Sequence, residues 1–518
     1  GFNLEFFPGS LFGKPWIMDG QSGIFPQQPN SPLMTTQPNY LHTGNYHDGK
    51  KSLADMNKLI GKGYSPIVAD DIISEPYAKG TKFTSRPDDP YNKVTIESLS
   101  GDLQLFDGRM NHNNGWFVLR SNIKPGVTKG AVKWIITPNV VADWMYQPVI
   151  QTSQIGYHPT QDKEAVIEMD IRDNRKETAQ IIRIDADGEK VVKNVTPANW
   201  GKFLRYNYLK VNFTDVKEPG LYKIKYNTSV SPIFRIDNDV YARGVWQPVL
   251  EYFLPVQMCH MRVNEKYRVW HDCCHMDDAQ MAPAHNHIDG YDQKEGLSKF
   301  KPGEVVPGVN IGGWHDAGDF DLRIESQAGE SYILALAYEA FHPNLDVTSI
   351  DQINRVTEIH QPDGKNDLLQ QVENGALTVV NGYLALGRLY RGIICNDLRQ
   401  YVLLGDAAAM TDGKIGNEDD RWIFTEDNPG RELSTAAQLA AVSRVLKGFN
   451  DTLSVHCLDI ARKVYASTGS GNNRALFPKV QAAVELYLTT GEQPYMDFIL
   501  DNQELIIKQI GRIGWYTA

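Results

Sequence analysis

Near Asp239 the chain changes its period. Before that point, short runs alternate apolar and polar residues, the two-residue repeat of a half-buried strand. After it, apolar residues recur at three- and four-residue spacing, the repeat of an amphipathic helix. One layer cannot satisfy both repeats, so strand-built and helix-built units must follow one another along the chain. A length of 518 residues agrees, being too long for one ordinary core.

The strand-like part divides again. Residues 1–147 are rich in Gly, Pro, Asn and Asp, with short strand-like runs at Val94–Leu99, Trp116–Leu119 and Val132–Thr137. They read as a loop-rich β domain of unassigned role, with a few helical turns near Ser52–Ile60. His42, His47 and Asp48 have metal-ligand chemistry, but a polar loop accounts for them as well. Residues 148–238 carry strands at sandwich spacing: Ala165–Ile171, Ala179–Ile184, Leu209–Phe213, Tyr222–Tyr226 and Ile233–Ile236. Asp187-Gly188 and Pro219-Gly220 supply turns between them.

Residues 239–518 read as helices at Ser326–Phe341, Asn366–Leu389, Leu433–Leu446, Leu453–Tyr465, Ala475–Leu488 and Tyr495–Ile510. Asn428-Pro-Gly and Gly469-Ser-Gly punctuate them. Helical hairpins in series suit an α/α toroid, and no parallel sheet is expected after residue 240.

Within this part, residues 312–319 read Gly-Gly-Trp-His-Asp-Ala-Gly-Asp. Glycines allow a sharp bend and close approach to a ligand. Asp316 and Asp319, three apart, can align a water and take its proton. Trp314 offers a flat apolar face to a sugar ring, with a core position as the alternative; His315 reads as structural. An isolated pair of aspartates at this spacing is usually a solvated turn, but the full octamer is rare.

The octamer resembles the catalytic-base signature of glycoside hydrolase family 9, the inverting cellulases. Gln154-Ile-Gly-Tyr-His-Pro, with Pro219-Gly-Leu-Tyr and Phe234-Arg-Ile, resembles the immunoglobulin-like module that precedes many catalytic domains of that family. Asp367-Leu-Leu-Gln-Gln-Val-Glu-Asn-Gly resembles its helix after the base motif, and Asn428-Pro-Gly-Arg-Glu-Leu-Ser-Thr-Ala-Ala a later helix start. The resemblance covers roughly residues 148–518. It implies a multidomain chain: an N-terminal β domain, an immunoglobulin-like β-sandwich, then an all-α (α/α)6 toroid. It implies hydrolysis of β-1,4-linked glucan or hemicellulose by inversion, with Asp319 as general base and Asp316 holding the same water. It also implies an extracellular, cell-surface or periplasmic location.

The sequence departs from the family pattern in three places. About eight helices follow residue 239 where the toroid needs about twelve, and no motif for the general acid is found. The toroid is therefore expected to be incomplete, with a missing C-terminal segment or second fragment, and the 518-residue chain inactive alone. Phe477 and Pro478 fall where many members carry a calcium-binding Asp-Glu pair. A hard cation needs oxygen ligands, so calcium is not expected there. Asp321 and Arg323 stand where the family often has a lysine.

Five cysteines occur, and three of them, Cys259, Cys273 and Cys274, lie within sixteen residues, beside His275, His285 and His287. An odd count is not a disulfide framework. Four sulfur and nitrogen donors make a closed, structural zinc site. Some family members resemble this arrangement, which implies Cys259, Cys274, His275 and His287 as ligands. Cys273 competes with Cys274, and His285 with His287.

The remaining alternatives are an exo-acting β-glycosidase on oligosaccharides, a non-catalytic glycan-binding relic, and a lyase on a similar toroid. The lyase would need Tyr, His or Arg in place of paired aspartates. A formal charge of −11 without long runs of one sign argues against nucleic acid and anionic membrane as partners. No apolar stretch reaches transmembrane length.

Overall fold

The computed structural model describes residues 2–6, 8–27, 76–107, 116–242, 244–251, 254–284, 293–294, 296–316, 320–395, 411, 413–416, 420–469 and 473–517. The turns expected near Ser52–Ile60 and the polar loop of His42, His47 and Asp48 lie outside the described residues. The chain divides into two compact units, one ending at Leu250 and one running from Glu251 onward.

The first unit holds two separate cores. The earlier core is built by antiparallel strands, including Pro15–Met18, Lys82–Ser85, Val94–Ser98, Leu103–Asp107, Phe117–Ser121 and Trp134–Pro138. Met18, Phe83, Ile96, Leu105, Phe117 and Leu119 fill it, so the three sequence-read strands sit close to where alternation placed them.

The second core lies between two antiparallel sheets. One runs in the order Val149–Gln151, Glu164–Asp170, Tyr206–Asn212, Ala198–Phe203. The other contains Gly188–Val195, Ala179–Asp185, Gly220–Tyr226 and Phe234–Ile236. Ile167, Ile181, Leu209, Val211, Ile224 and Ile236 alternate inward. The Gln154-Ile-Gly-Tyr motif has a packing reason. Tyr157 is buried edge-on against Phe213 and Phe234, and its hydroxyl donates to the Glu164 carbonyl. Gly156, at φ +105°, passes so close to Arg235 that a Cβ would lie 2.3 Å from its carbonyl oxygen. The edge strands Gly188–Val195 and Ala198–Phe203, one in each sheet, escape the sequence reading because both face solvent along most of their length and show no alternation.

The second unit is mainly helical: α1 Ile324–Phe341, α2 Asp367–Leu386, α3 Pro429–Leu446, α4 Asp451–Ser467 and α5 Asn473–Thr490. Asparagine caps open three of them. The side chains of Asn366, Asn428 and Asn450 accept from the first free N–H groups of α2, α3 and α4. Helix α3 is buried along Ala436, Ala437, Leu439, Ala440, Ala441 and Val442. Its small side chains let neighbouring helices approach, which accounts for the Thr-Ala-Ala motif. None of the described helices is long and apolar enough to cross a membrane.

Two expectations are corrected. The single helix expected over Tyr495–Ile510 is three pieces, α6 Gln493–Asp501, α7 Gln503–Lys508 and α8 Ile510–Thr517. At the first break, the Asn502 side chain donates back to the Phe498 carbonyl, taking an acceptor that the helix ladder would use. Second, the helical part contains two small mixed sheets. One contains Arg262–Glu265 paired in parallel with Val356–Ile359, and the other contains Gln280–Met281 paired in parallel with Arg421–Phe424. Strands of two to four residues are too short for a period to show.

Asp367 opens α2 from a buried position and accepts from the N–H groups of Val347 and Thr348. Burial, reinforced by Asp346 and Glu251 and opposed by those bonds, pushes its carboxyl up to about 7. The folded state therefore holds this proton more tightly than the unfolded chain. Its stabilising contribution is complete below about pH 4 and is lost as pH rises toward 7. Replacing Asp367 by Asn should raise melting temperature relative to the parent progressively across that window. A pH-independent difference in thermal scans would exclude the assignment.

Candidate active-site turn and buried metal cluster

The glycine-rich turn is fastened from several sides. Gly312 and Gly313 take φ of +69° and +87°, and a Cβ on Gly312 would lie 2.3 Å from the Asn374 carbonyl. Instead that carbonyl accepts from the Gly313 N–H at 3.0 Å, while the Gly313 carbonyl accepts from Cys259 N–H at 3.0 Å. The Gln327 amide clamps Trp314 at both its N–H and its carbonyl, each at 2.8 Å. The Asp316 N–H donates to the Asp321 carbonyl at 3.0 Å.

Trp314 is corrected from sugar platform to core residue. It is 1% exposed, and its indole N–H donates to Gln371 at 3.2 Å. A Cβ on Gly375 would lie 2.4 Å from the indole ring and 2.2 Å from Ser331 Oγ. The glycine ending the Asp367–Gly375 motif is therefore the space that Trp314 occupies, so the two motifs fit each other physically. In this position the ring presents no face to a ligand.

Asp316 remains partly open to solvent, and Arg323 Nε lies 3.1 Å from its Oδ2. Arg323 also approaches Asp321 at 3.9 Å; Asp321 is buried and accepts from the Cys395 N–H. One residue type that departs from the family pattern thus balances the charge of Asp316. Glu330, on the adjacent helix, feels the opposite effect. Loss of water around its carboxyl, and then the negative charge of Asp316, push it up to about 7. Asp319 lies outside the described residues.

Behind the turn, Cys259, Cys274, His275 and His315 gather their donor atoms within 4.8 Å of one another, all buried. The sulfurs are 3.7 Å apart, Cys259 Sγ is 3.9 Å from His275 Nδ1, and Cys274 Sγ is 3.5 Å from His315 Nε2. Tetrahedral zinc with bonds of about 2.3 Å to sulfur and 2.0–2.1 Å to nitrogen spaces its ligands by about 3.8 Å and about 3.5 Å. The donor set therefore fits zinc in chemistry and in size. Burial, and then the positive charge of Arg421, push His275 down to about 4 and keep it neutral, as a ligand must be.

Cys273 is half-buried with its sulfur toward the Arg355 carbonyl, so Cys274 is the member of the pair in the cluster. His285 and His287 lie outside the described residues. The sequence reading left His315 out of the metal set; its place beside Asp316 in the octamer was the available signal.

A fully buried charge network joins the cluster to the turn. Arg421 pairs with Asp278, donates to Cys259 Sγ at 3.1 Å and donates to the Phe320 carbonyl at 2.5 Å. His260 donates to Asp278 at 3.0 Å and to the Gly312 carbonyl at 2.9 Å. Burial opposes charge on this ring, but the Cys259 thiolate and Asp278 outweigh it and raise His260 to about 9. Burial would raise the Cys259 thiol as well; the hydrogen bond from Cys274 and the charge of Arg421 hold it well below its usual value. The network thus grips the turn at Gly312 and at Phe320, on either side of both aspartates. Nothing in the sequence marked Arg421, Asp278 or His260.

Residues 250–516 match the family model described as glycosyl hydrolase family 9, and residues 145–231 match the cellulase N-terminal ig-like domain. The chain belongs to glycosyl hydrolase family 9. It is 25% identical to a xyloglucan-specific endo-beta-1,4-glucanase of Bacteroides ovatus, over 67% of this chain and 58% of that protein. It is 19% identical to Endoglucanase D of Acetivibrio thermocellus, over 69% of this chain and 54% of that one. The crystal structure of a metagenome-derived glycoside hydrolase family 9 endoglucanase shares the fold at a TM-score of 0.51 and 21% identity, over 69% of this chain and 64% of that chain. The chain thus spans just over half the length of these curated relatives. Family membership makes the Gly312–Asp319 turn the candidate active site.

Arg421→Met should be strongly destabilising, because it removes the guanidinium from a buried ion pair and leaves Asp278 with His260 alone. Loss of one partner of such a pair costs about 3–5 kcal/mol. Urea unfolding of the variant beside the parent measures this, and a change within about 0.5 kcal/mol, the usual range of surface substitutions, would remove Arg421 from its anchoring role.

Proposed function

We propose that the protein is an inverting glycoside hydrolase acting on β-1,4-linked glucan or a related hemicellulose, with Asp319 as general base and Asp316 orienting the attacking water. The observation that carries this reading is the turn itself. Its backbone is fastened at Gly312, Gly313, Trp314, Asp316 and Phe320, while the Asp316 carboxylate stays accessible beside Arg323. A water-aligning carboxylate needs that combination of fixed backbone and retained charge.

In an inverting enzyme, base and acid stand roughly 6.5–9.5 Å apart so that a water fits on the far side of the sugar. Asp319 takes the proton of that water as its oxygen attacks the anomeric carbon, and the acid protonates the departing oxygen. Asp316, held beside Arg323, accepts a hydrogen bond from the water and aims its lone pair. These residues supply the base side; no described residue is assigned the acid. The helical hairpins belong, in this reading, to an (α/α)6 toroid, and the protein works outside the cytoplasm. Because the similar Bacteroides protein is named for xyloglucan, xyloglucan belongs with unbranched β-1,4-glucans among the substrates to test.

One zinc ion, held by Cys259, Cys274, His275 and His315, completes the reading. A closed set of four protein ligands leaves no open position, so zinc supplies rigidity and no chemistry. His315 would then tie the metal directly to its neighbour Asp316.

In the full-length protein, general acid included, Asp319→Ala should lower the rate on β-1,4-glucans by about 10²–10⁴-fold, the usual worth of a general base. Asp316→Ala should lower it as much or somewhat less, with unfolding free energy within about 1 kcal/mol of the parent, as for other partly exposed ion pairs. Proton NMR of the first products should show the inverted anomer. Undiminished rates in Asp319→Ala, or a retained anomer, would overturn the mechanism.

The metal is tested separately. Protein purified without chelator should contain one zinc per chain, and Cys274→Ser should lose it together with several degrees of melting temperature. Zinc-free parent protein of unchanged stability would refute the site.

A further inference from the structure

The outer face of one sandwich sheet in the first unit carries aromatic rings in an unbroken row. On Tyr206–Asn212, Asn207, Leu209 and Val211 point into the core, so Tyr206 and Tyr208 point out. Trp200 on the neighbouring strand meets Tyr208 at 5.6 Å between ring centres, and Tyr208 meets Tyr206 at 6.1 Å. Tyr206 meets Tyr146 at 5.2 Å, and Tyr146 meets Trp144 at 6.4 Å. The tryptophans at the two ends are the most open, Trp144 at 50% and Trp200 at 56% exposure. A sheet face turned to water ordinarily carries polar side chains, and leaving two tryptophans in water costs free energy that a ligand would recover.

The polar groups along the row are arranged for an uncharged partner. Glu168 lies beneath it and accepts from the hydroxyls of Tyr146 at 2.9 Å and Tyr208 at 3.1 Å, which fixes both rings. Arg172 pairs with Asp170 at 2.8 Å and Lys210 with Glu164 at 2.7 Å, and Arg205, whose guanidinium lies 5.4 Å from the Tyr206 ring centre, is opposite in sign to Glu168. The charges touching the rings are thus one of each sign, which favours a neutral polymer over an anionic or cationic one. Apolar ring faces interleaved with fixed hydroxyls match a chain of pyranose rings, which presents C–H groups on its faces and hydroxyls around its edges. The rings are rotated by 56° to 88° from one to the next, which suits a single twisted chain better than a flat crystalline surface.

We propose that this aromatic row, from Trp144 through Tyr146, Tyr206 and Tyr208 to Trp200, is a binding site for a single neutral β-linked glucan chain. The choice of a β-linked glucan rests on the function proposed above. The row itself lies in the sandwich and does not include the candidate catalytic turn.

The test uses the full chain carrying Asp319→Ala, so that polymer is not cut during the measurement. Native gels cast with hydroxyethylcellulose or xyloglucan should retard it, whereas gels with anionic polygalacturonate should not. Trp144→Ala/Trp200→Ala in the same background should weaken retardation by about tenfold or more, the loss usual for central aromatic anchors. Trp144→Phe/Trp200→Phe should restore most of it, with melting temperatures unchanged in both. Retardation undiminished in the double alanine variant would overturn the proposal. So would free migration of the Asp319→Ala chain in both neutral polymers, or retardation by polygalacturonate alone. Sedimentation adds a further outcome. A dimer that the alanine changes convert to monomer, without glucan retention, would mean that the row covers a second copy of the chain instead. Release of reducing ends by the full-length protein, general acid included, reports the proposed activity separately. Hydrolysis with row-independent retention sinks only the binding site, and row-dependent retention without hydrolysis sinks only the catalytic reading.

Discussion

The buried pair of Arg421 and Asp278 is the interaction on which the glycine-rich turn rests. Both side chains are closed off from water. Burying two charges is costly unless each remaining donor and acceptor is used. Here each is directed at something the site requires. Arg421 reaches the Phe320 carbonyl on one side of the turn and the Cys259 sulfur behind it. Asp278 holds His260, whose other nitrogen holds the Gly312 carbonyl on the other side.

That network explains why a segment rich in glycine can hold a defined shape. Glycine surrenders more backbone freedom on folding than any other residue, so a turn built from it must be held by outside contacts. Gln327 from α1 and Asn374 from α2 hold it on one side, and the buried charges on the other. Trp314 is the wedge between them, filling the notch left by Gly375. The apolar bulk of the motif goes into rigidity, and the carboxylate of Asp316 keeps partial contact with solvent.

The first unit uses aromatic residues in the opposite way. Tyr157, Phe213 and Phe234 lock the sandwich interior edge-to-face. The row from Trp144 to Trp200 faces outward on the same sandwich, although nothing in its folding requires rings there. One residue class therefore serves two physical purposes in one sandwich, filling its core and lining the outer face of one of its sheets.

The sequence by itself determined the order of units, the major helices and the candidate catalytic turn. Those features are local: alternation at residues 164–170, helical spacing at 433–446, asparagine at the helix starts and an octamer of adjacent residues. It also brought Cys259, Cys274 and His275 together, because they are close along the chain. The short parallel strands escaped it, since a run such as Gln280–Met281 is too brief to show a period. Tertiary structure alone decided the rest. It moved Trp314 from solvent to core and drew His315 to the two cysteines. It carried Arg421 across more than 140 residues to Asp278. It lined up five rings from three separate segments. The reason is common to all of them: burial, pairing of charges and alignment of rings are properties of position in space, and a linear pattern records only neighbours in the chain.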